Sequence, residues 1–309
     1  MMGLHSKHDK KSNQVKLMRL ATNFAMSLAF FLVIIKIVAY FITNSLSILS
    51  SFIDSSTDLI SSFINFLAIK YSLMPADHEH SYGHGKAEPI AGLAQALIII
   101  IMALFLLFNA FQRFGQPVEV IKSLVGIIVM VISLLSTLLL VSFQSFVIRQ
   151  TNSIVIKADA LHYKGDILIN LSVIFTLIFV NYYNFLWLDS VLAILISFYL
   201  IFNSGLIILS SYNELMDSEL PDLERKKILN IVLSHPEILE VHDLRTRSSG
   251  IQNFIQMHIV LDSNISLMDA HKISDTVENL ILKDYPNTDI IIHQDPSGII
   301  EDHKPVGER

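Results

Sequence analysis

Apolar residues occupy the first two-thirds of this chain in long blocks, and the final third switches to short periodic patterns. Six blocks, at 17–43, 46–70, 89–112, 123–147, 155–181 and 186–211, are each long enough to cross a bilayer, which takes about 20 apolar residues in a helix. The third holds "ALIIIIMALFLLF" without a charge. The first is too long for a signal-peptide apolar region and lacks an evident cleavage site, so it reads as a retained helix. Lys36, in its outer half, is expected to snorkel toward the interface.

Beyond residue 212 the periods are those of a soluble domain. "PDLERKKILNIVLSH" places apolar residues at helical spacing, and "SLMDAHKISDTVENLILKDY" predicts a second amphipathic helix starting near Ser266 or Asp269. Between them "ILEVHDLRTRSSGIQNFIQMHIVLD" alternates around a Ser-Ser-Gly turn and predicts a β-hairpin. "TDIIIHQDP" predicts a third strand, closed by proline. The expected fold class is an α-helical polytopic membrane domain of six transmembrane helices (1–212). A small α+β domain of order α-β-β-α-β, with its helices on one face of the sheet, follows at 213–309. With fewer than 100 residues its core is modest, and dimerisation or metal would stabilise it.

Composition sharpens this picture. Of the 309 residues 52% are hydrophobic and 16% charged, against about 25% charged in soluble domains. Residues 1–212 carry 13 Lys and Arg against 10 Asp and Glu, a net of +3; residues 213–309 carry 9 against 18, a net of −9. No basic patch interleaved with aromatics points to nucleic acid. Cysteine is absent, which excludes disulfides, thiol nucleophiles and thiolate metal sites. Any metal is left to His, carboxylate or carbonyl ligands. Lysines and arginines cluster in the N-terminal segment (Lys7, Lys10, Lys11, Lys16, Arg19), at Lys86, and at Arg149 and Lys157. The loops near "TNS" and "NYYN" have none, and Arg113 and Lys122 run against the trend. The balance puts both termini in the cytoplasm.

Three constellations carry chemistry. Asp54 and Asp58 in the second span, and His162 and Asp166 in the fifth ("DALHYKGDI"), each show i,i+4 spacing, which sets both side chains on one helix face. Ionisable residues inside spans are functional by default. Facing each other, the two helices offer three carboxylates and an imidazole, a set suited to four-coordinate Zn²⁺. The bland alternative is isolated polar residues, or carboxylates paired with Lys157 or Lys164. The second constellation is the loop "DHEHSYGHGK", with Asp77, His80 and His84 as ligands and His78 and Glu79 as competitors; its alternative is a solvated polar loop. The third lies in the acidic domain: His242, His258, His271, His293 and Asp295. His293 and Asp295, two apart on a strand, share a face, and His242 and His258 fall on the two hairpin strands. Its alternative is a set of surface histidines.

These motifs resemble the cation diffusion facilitator family, in its bacterial zinc and ferrous-iron efflux type, over nearly the whole chain. "SSFIDSSTDLISS", "PADHEHSYGHGKAEPIAGLAQ", "ADALHYKGDILIN", "VHDLRTRSSG" and "IIHQDPSG" stand in the family's order. The resemblance implies a homodimer in the bacterial inner membrane and metal/proton antiport. It implies that Asp54, Asp58, His162 and Asp166 form the transport site and Asp77, His80 and His84 a loop site. It further implies a two-metal cytosolic site of His242, His258, His271, His293 and Asp295, with Asp295 bridging. Lys86 and Asp217 match a salt bridge between dimer halves.

The expected function is therefore efflux of divalent metal, zinc first with iron(II) and cadmium accommodated, in exchange for protons across the lipid bilayer. The imidazole of His162 suits zinc and softer ions than an all-oxygen site would. A membrane metal sensor or storage protein could use the same ligands without transport. A membrane hydrolase would need an open metal position and a general base; four ligands fill the zinc shell, and no further in-span acid is expected beside them.

Overall fold

In the computed structural model residues 2–43, 46–112, 124–183 and 187–298 are described. The loop cations Arg113 and Lys122, the "TNS" residues Asn44 and Ser45, and the last eleven residues lie outside them. Two compact units divide the chain at Val15/Lys16 and Tyr212/Asn213, the first fifteen residues grouping with the C-terminal unit.

Six long helices fill the six apolar blocks: α1 (Met2–Thr43), α2 (Leu46–Ser72), α3 (Ala87–Gln112), α4 (Leu124–Thr151), α5 (Ile154–Tyr183) and α6 (Leu188–Leu215). Among the described residues, four stretches are long and apolar enough to cross a membrane: Ser12–Ile42, Ala87–Gln112, Ile128–Thr151 and Ser190–Leu215. The remaining two helices, α2 and α5, are as long but are interrupted by the charged residues that form the candidate site. Large apolar side chains such as Phe105, Leu139 and Phe202 are exposed on the outside of this unit, as hydrocarbon contact requires.

The interior is built around α5, which packs against α2, α3 and α4. From Ile154 to Tyr163 every residue of α5 is buried except the half-buried Lys157. Ala96, Ile99 and Ala103 of α3 meet Ile154, Ala158 and Leu161 of α5 and Ile196, Leu200 and Ile207 of α6. Small residues at such contacts let helix backbones approach. Gly92 is the extreme case, since a Cβ there would lie 2.5 Å from Ile154 Cγ2. The start of α5 is fixed by side chains. The buried Glu88 accepts the Ile154 N–H at 2.8 Å, and Ser153 Oγ accepts from Ile156 N at 3.3 Å. These satisfy donors that a helix N-terminus leaves free, and the carboxylate opposes the positive end of the helix dipole.

The second unit contains α7 (Asp222–Leu233), β1 (Glu240–Ser249), β2 (Gln252–Leu261), α8 (Leu267–Asp284) and β3 (Thr288–Pro296). β1 and β2 form an antiparallel hairpin closed at Gly250, whose φ of +60° falls in the left-handed region. β3 pairs with β2 in parallel, so the sheet order is β1-β2-β3. The crossover is α8. Its first residue is preceded by Ser266, whose hydroxyl accepts from Asp269 N at 3.2 Å. Ile228 and Val232 of α7, Ile255, Met257 and Ile259 of β2, and Val277 and Ile281 of α8 close a single core.

Gly92→Ala is expected to cost about 1–3 kcal/mol through overpacking and to lower the melting temperature of the detergent-solubilised protein. Gly205→Ala should leave it unchanged or raise it, since the added Cβ meets nothing within 4 Å and alanine favours a helix. Equal melting temperatures for the two variants would refute the close α3–α5 contact.

Candidate metal centres

The membrane unit brings α2 and α5 together at three of the four expected ligands. His162 Nε2 lies 2.9 Å from Asp58 Oδ1 and 3.8 Å from Asp166 Oδ2. One ligand atom from each residue falls within 4.8 Å of the others. A tetrahedral zinc shell with bonds near 2.0–2.2 Å separates its ligand atoms by roughly 3.3 Å, so only small side-chain adjustments are needed. Asp54, one turn before Asp58, stands outside this trio and is exposed.

Lys36 does not snorkel outward. Its Nζ donates to Ser55 Oγ at 2.6 Å, between the two aspartates in sequence, and the side chain is half-buried. An ammonium inside a span is drawn toward the carboxylates there, and the fields of Asp58, Asp54 and Asp166 all act on it. Ser55 is thus a buried hydrogen-bond partner, while Ser56 Oγ donates to its own helix at Phe52 O.

The membrane unit holds a further in-span acid beside the trio, contrary to expectation. Asp159, one turn before His162, is buried and accepts hydrogen bonds at both oxygens: Asn65 Nδ2 of α2 at 2.9 Å and Gln144 Nε2 of α4 at 2.6 Å. Beside it Ser62 of α2 and Tyr163 of α5 share a hydrogen bond of 2.8 Å. One carboxylate therefore ties three helices and fixes the register of the two that carry the trio. With both oxygens occupied, it is not placed as a free general base. A buried Asn and Gln within the second and fourth spans were its only sequence signal.

The loop after α2 gathers its three expected residues. His84 Nε2 is 3.2 Å from Asp77 Oδ2, and His80 Nδ1 is 3.3 Å from Asp77 Oδ1. His84 is buried, and its Nδ1 lies 3.2 Å from the Pro75 carbonyl. Donation there leaves Nε2 as the ligand nitrogen. The backbone N–H groups of His80 and Glu79 donate to Asp77 Oδ1 at 2.7 and 3.0 Å. The His80 bond, helped by that of Glu79, holds the Asp77 carboxyl below the usual carboxylate range. His78 and Glu79 are exposed and belong to no ligand cluster.

In the soluble unit the strand register does the gathering. His242 pairs with His258 across the hairpin, and His258 with His293 across the parallel pair. Directly after His242 the register shifts and Asp243 takes a φ of +48°. Such a bulge re-aims neighbouring side chains. His242 Nε2 and His258 Nδ1 lie 3.1 and 2.9 Å from Asp295 Oδ2, and His293 Nε2 lies 3.1 Å from Oδ1. Desolvation works against the charged Asp295, but the hydrogen bond from His258 and the fields of His258, His293 and His242 outweigh it and hold the carboxyl low. His271 is exposed beside Asp275, at 3.6 Å, and outside the cluster. Asp217, at a φ of +54°, is engaged by Arg247 at 3.2 Å. Lys86 immediately precedes α3 in the other unit.

Comparison with known proteins gives the chain its family. A family profile described as "Cation efflux transmembrane domain" matches residues 23–216, and one described as "Cation efflux protein, cytoplasmic domain" matches 220–297. The chain is 42% identical over 285 residues to the cation-efflux pump FieF of Yersinia enterocolitica, covering 92% of this chain and 95% of that protein. It is 41% identical over 276 residues to FieF of Klebsiella pneumoniae, covering 89% and 92%. A solved metal-bound C-terminal domain of the CzcD transporter from Thermotoga maritima is 28% identical and covers 26% of this chain and all of that one, with a TM-score of 0.25.

Calorimetric titration with zinc should separate the clusters. Asp58→Ala, His84→Ala and His258→Ala are each expected to remove binding at their own cluster and leave the rest, because distant sites add independently. Loss of all binding in any one variant would contradict three separate centres. Asp159→Ala strands two buried amides, each loss costing about 1–3 kcal/mol. It should weaken zinc binding at the membrane trio while sparing the Asp77 and Asp295 clusters. Unchanged affinity at the trio would show that the tie does not set its register.

Proposed function

This chain belongs to the cation efflux family, whose members are membrane transporters rather than enzymes, and from that premise we propose that it exports divalent metal in exchange for protons. The observation that carries the reading is the Asp58–His162–Asp166 trio, formed by side chains of α2 and α5 that face each other, one turn from Asp54. All six helices cross the bilayer of a bacterial inner membrane in this reading, with both termini in the cytoplasm. Asp54 completes the site as its fourth ligand by a rotamer change on the shared face of α2.

Charge supports the cargo. Asp54, Asp58 and Asp166 with Lys36 leave a formal −2 when His162 is neutral. A divalent cation neutralises that set, and so do two protons. Ligands must be deprotonated to bind metal, so metal entry expels protons. The same groups thus carry one cargo or the other, and alternating access exposes them to each side in turn. Zinc is the primary ion, with iron(II) and cadmium also accepted, because one imidazole sits among carboxylates. The Asp77 and Asp295 clusters bind zinc in a structural or sensing role. In the homodimer, metal at Asp295 and its histidines, with His271 swinging in, offsets the −9 of the soluble part, and Lys86 bridges to Asp217 of the partner.

Reconstituted vesicles test this. Wild type should move zinc against a proton gradient, faster as the gradient steepens and not at all once a protonophore dissipates it. Asp54→Ala should abolish flux. Full proton-coupled flux in that variant sinks the transport site, and metal binding without any wild-type flux would instead mark a sensor or store. His162→Asp should shift preference toward harder cations such as Mn²⁺ in a competition series; an unchanged ion order would exclude a selectivity role for the imidazole.

A further inference from the structure

At the end of the membrane unit where α4 turns into α5, a cavity of about 350 Å³ opens between α4, α5 and α6. Its walls include Lys157 and Lys164 of α5 and Tyr199, Asn203 and Ser210 of α6. The two lysines are seven residues apart, which is two turns or about 10 Å along one face, and both are half-buried. Neither pairs with a site carboxylate. Among the described residues no acidic group lies within 4 Å of either ammonium. Asn203 donates to the Tyr199 carbonyl, leaving its amide oxygen, the Tyr199 hydroxyl and the Ser210 hydroxyl to face a guest. Two unopposed cations in one partly enclosed space are unfavourable unless an anion joins them.

We propose that this cavity binds the phosphate headgroup of an anionic phospholipid. The surroundings fit a lipid rather than a soluble anion. Leu195, Phe198, Phe202 and Leu206 are exposed on α6 alongside the cavity and offer an apolar track for acyl chains. Basic pockets between membrane helices near the cytoplasmic side take such headgroups, and the orientation proposed above puts this end there. A second copy presenting the same face about a two-fold axis would bring four ammonium groups together, so self-association does not serve as the occupant. The site is separate from the metal trio, since its lysines point into a different space on α5.

The full-length protein, purified in a neutral detergent, is titrated with phosphatidylglycerol, with phosphatidylcholine and with inorganic phosphate while its melting temperature is followed. Phosphatidylglycerol is expected to raise it well above phosphatidylcholine, and inorganic phosphate to leave it unchanged. In Lys157→Gln/Lys164→Gln the apparent affinity for phosphatidylglycerol should fall about thirtyfold, each lysine contributing roughly fivefold. Lys157→Arg/Lys164→Arg should retain it. Lys70→Gln, an exposed lysine at the end of α2, should also retain it. The proposal is overturned if the double glutamine variant keeps its response, if Lys70→Gln loses as much, or if inorganic phosphate alone reproduces the rise. Equal melting temperatures of wild type and the glutamine variant in phosphatidylcholine establish that the variant is folded. If it is not, the phosphatidylglycerol-over-phosphatidylcholine difference in each single variant decides.

Discussion

A carboxylate within a membrane span persists as an anion only where a cation or hydrogen-bond donors replace the water it has lost. The contacts of the buried carboxylates in the membrane unit follow from that constraint. Asp58 and Asp166 converge on one imidazole nitrogen of His162, and Lys36 is held by Ser55 within their field. Asp159 is satisfied differently, by two amide groups from separate helices. The first arrangement leaves carboxylate oxygens that a mobile cation can meet; the second has a fixed donor on each oxygen. The candidate metal site thus sits one turn from a tie made by fixed donors.

The soluble unit solves a related problem with other means. Asp295 is buried next to three imidazoles, and it is the sheet that brings them there. Antiparallel β1 and parallel β3 flank β2, so His242, His258 and His293 line up across three strands at one level. The parallel pairing depends on α8 as a crossover, and α8 in turn supplies Val277 and Ile281 to the core that holds the strands flat against it. The cluster is therefore a product of the whole small fold rather than of a local motif.

The features legible in the sequence are those set by local periodicity. The i,i+4 pairs in α2 and α5, the hairpin around Gly250 and the two-residue spacing of His293 and Asp295 follow from helix and strand geometry alone. The features that escaped depend on distant partners. Asp159 reads as one more polar residue until Asn65, 94 positions away, and Gln144 are brought to it. Lys36 was expected to reach for the interface because nothing local shows that Ser55 lies within its length. His271 lies on an exposed helix face beside Asp275, outside the strand cluster. The parallel pairing of β3 was equally hidden, since strand order is settled by packing and not by alternation.

The same reasoning explains why charged residues collect in α2 and in the first half of α5. α2 is two-faced. Ile53, Ile60, Phe63 and Leu67 are exposed on one side, while Ser55, Ser62 and Asn65 are buried on the other, seven residues repeating each face. In a soluble protein the apolar side would be the inner one; here the solvent is hydrocarbon, and the polar side turns inward to meet α5. α5 is enclosed by α2, α3 and α4 through its first half, so it needs little apolar surface of its own there and can carry Asp159, His162 and Asp166. The more apolar α3 and α4 supply the shielding that makes those residues tolerable. The charged residues of α2 and of the first half of α5 are thus a consequence of where those segments stand.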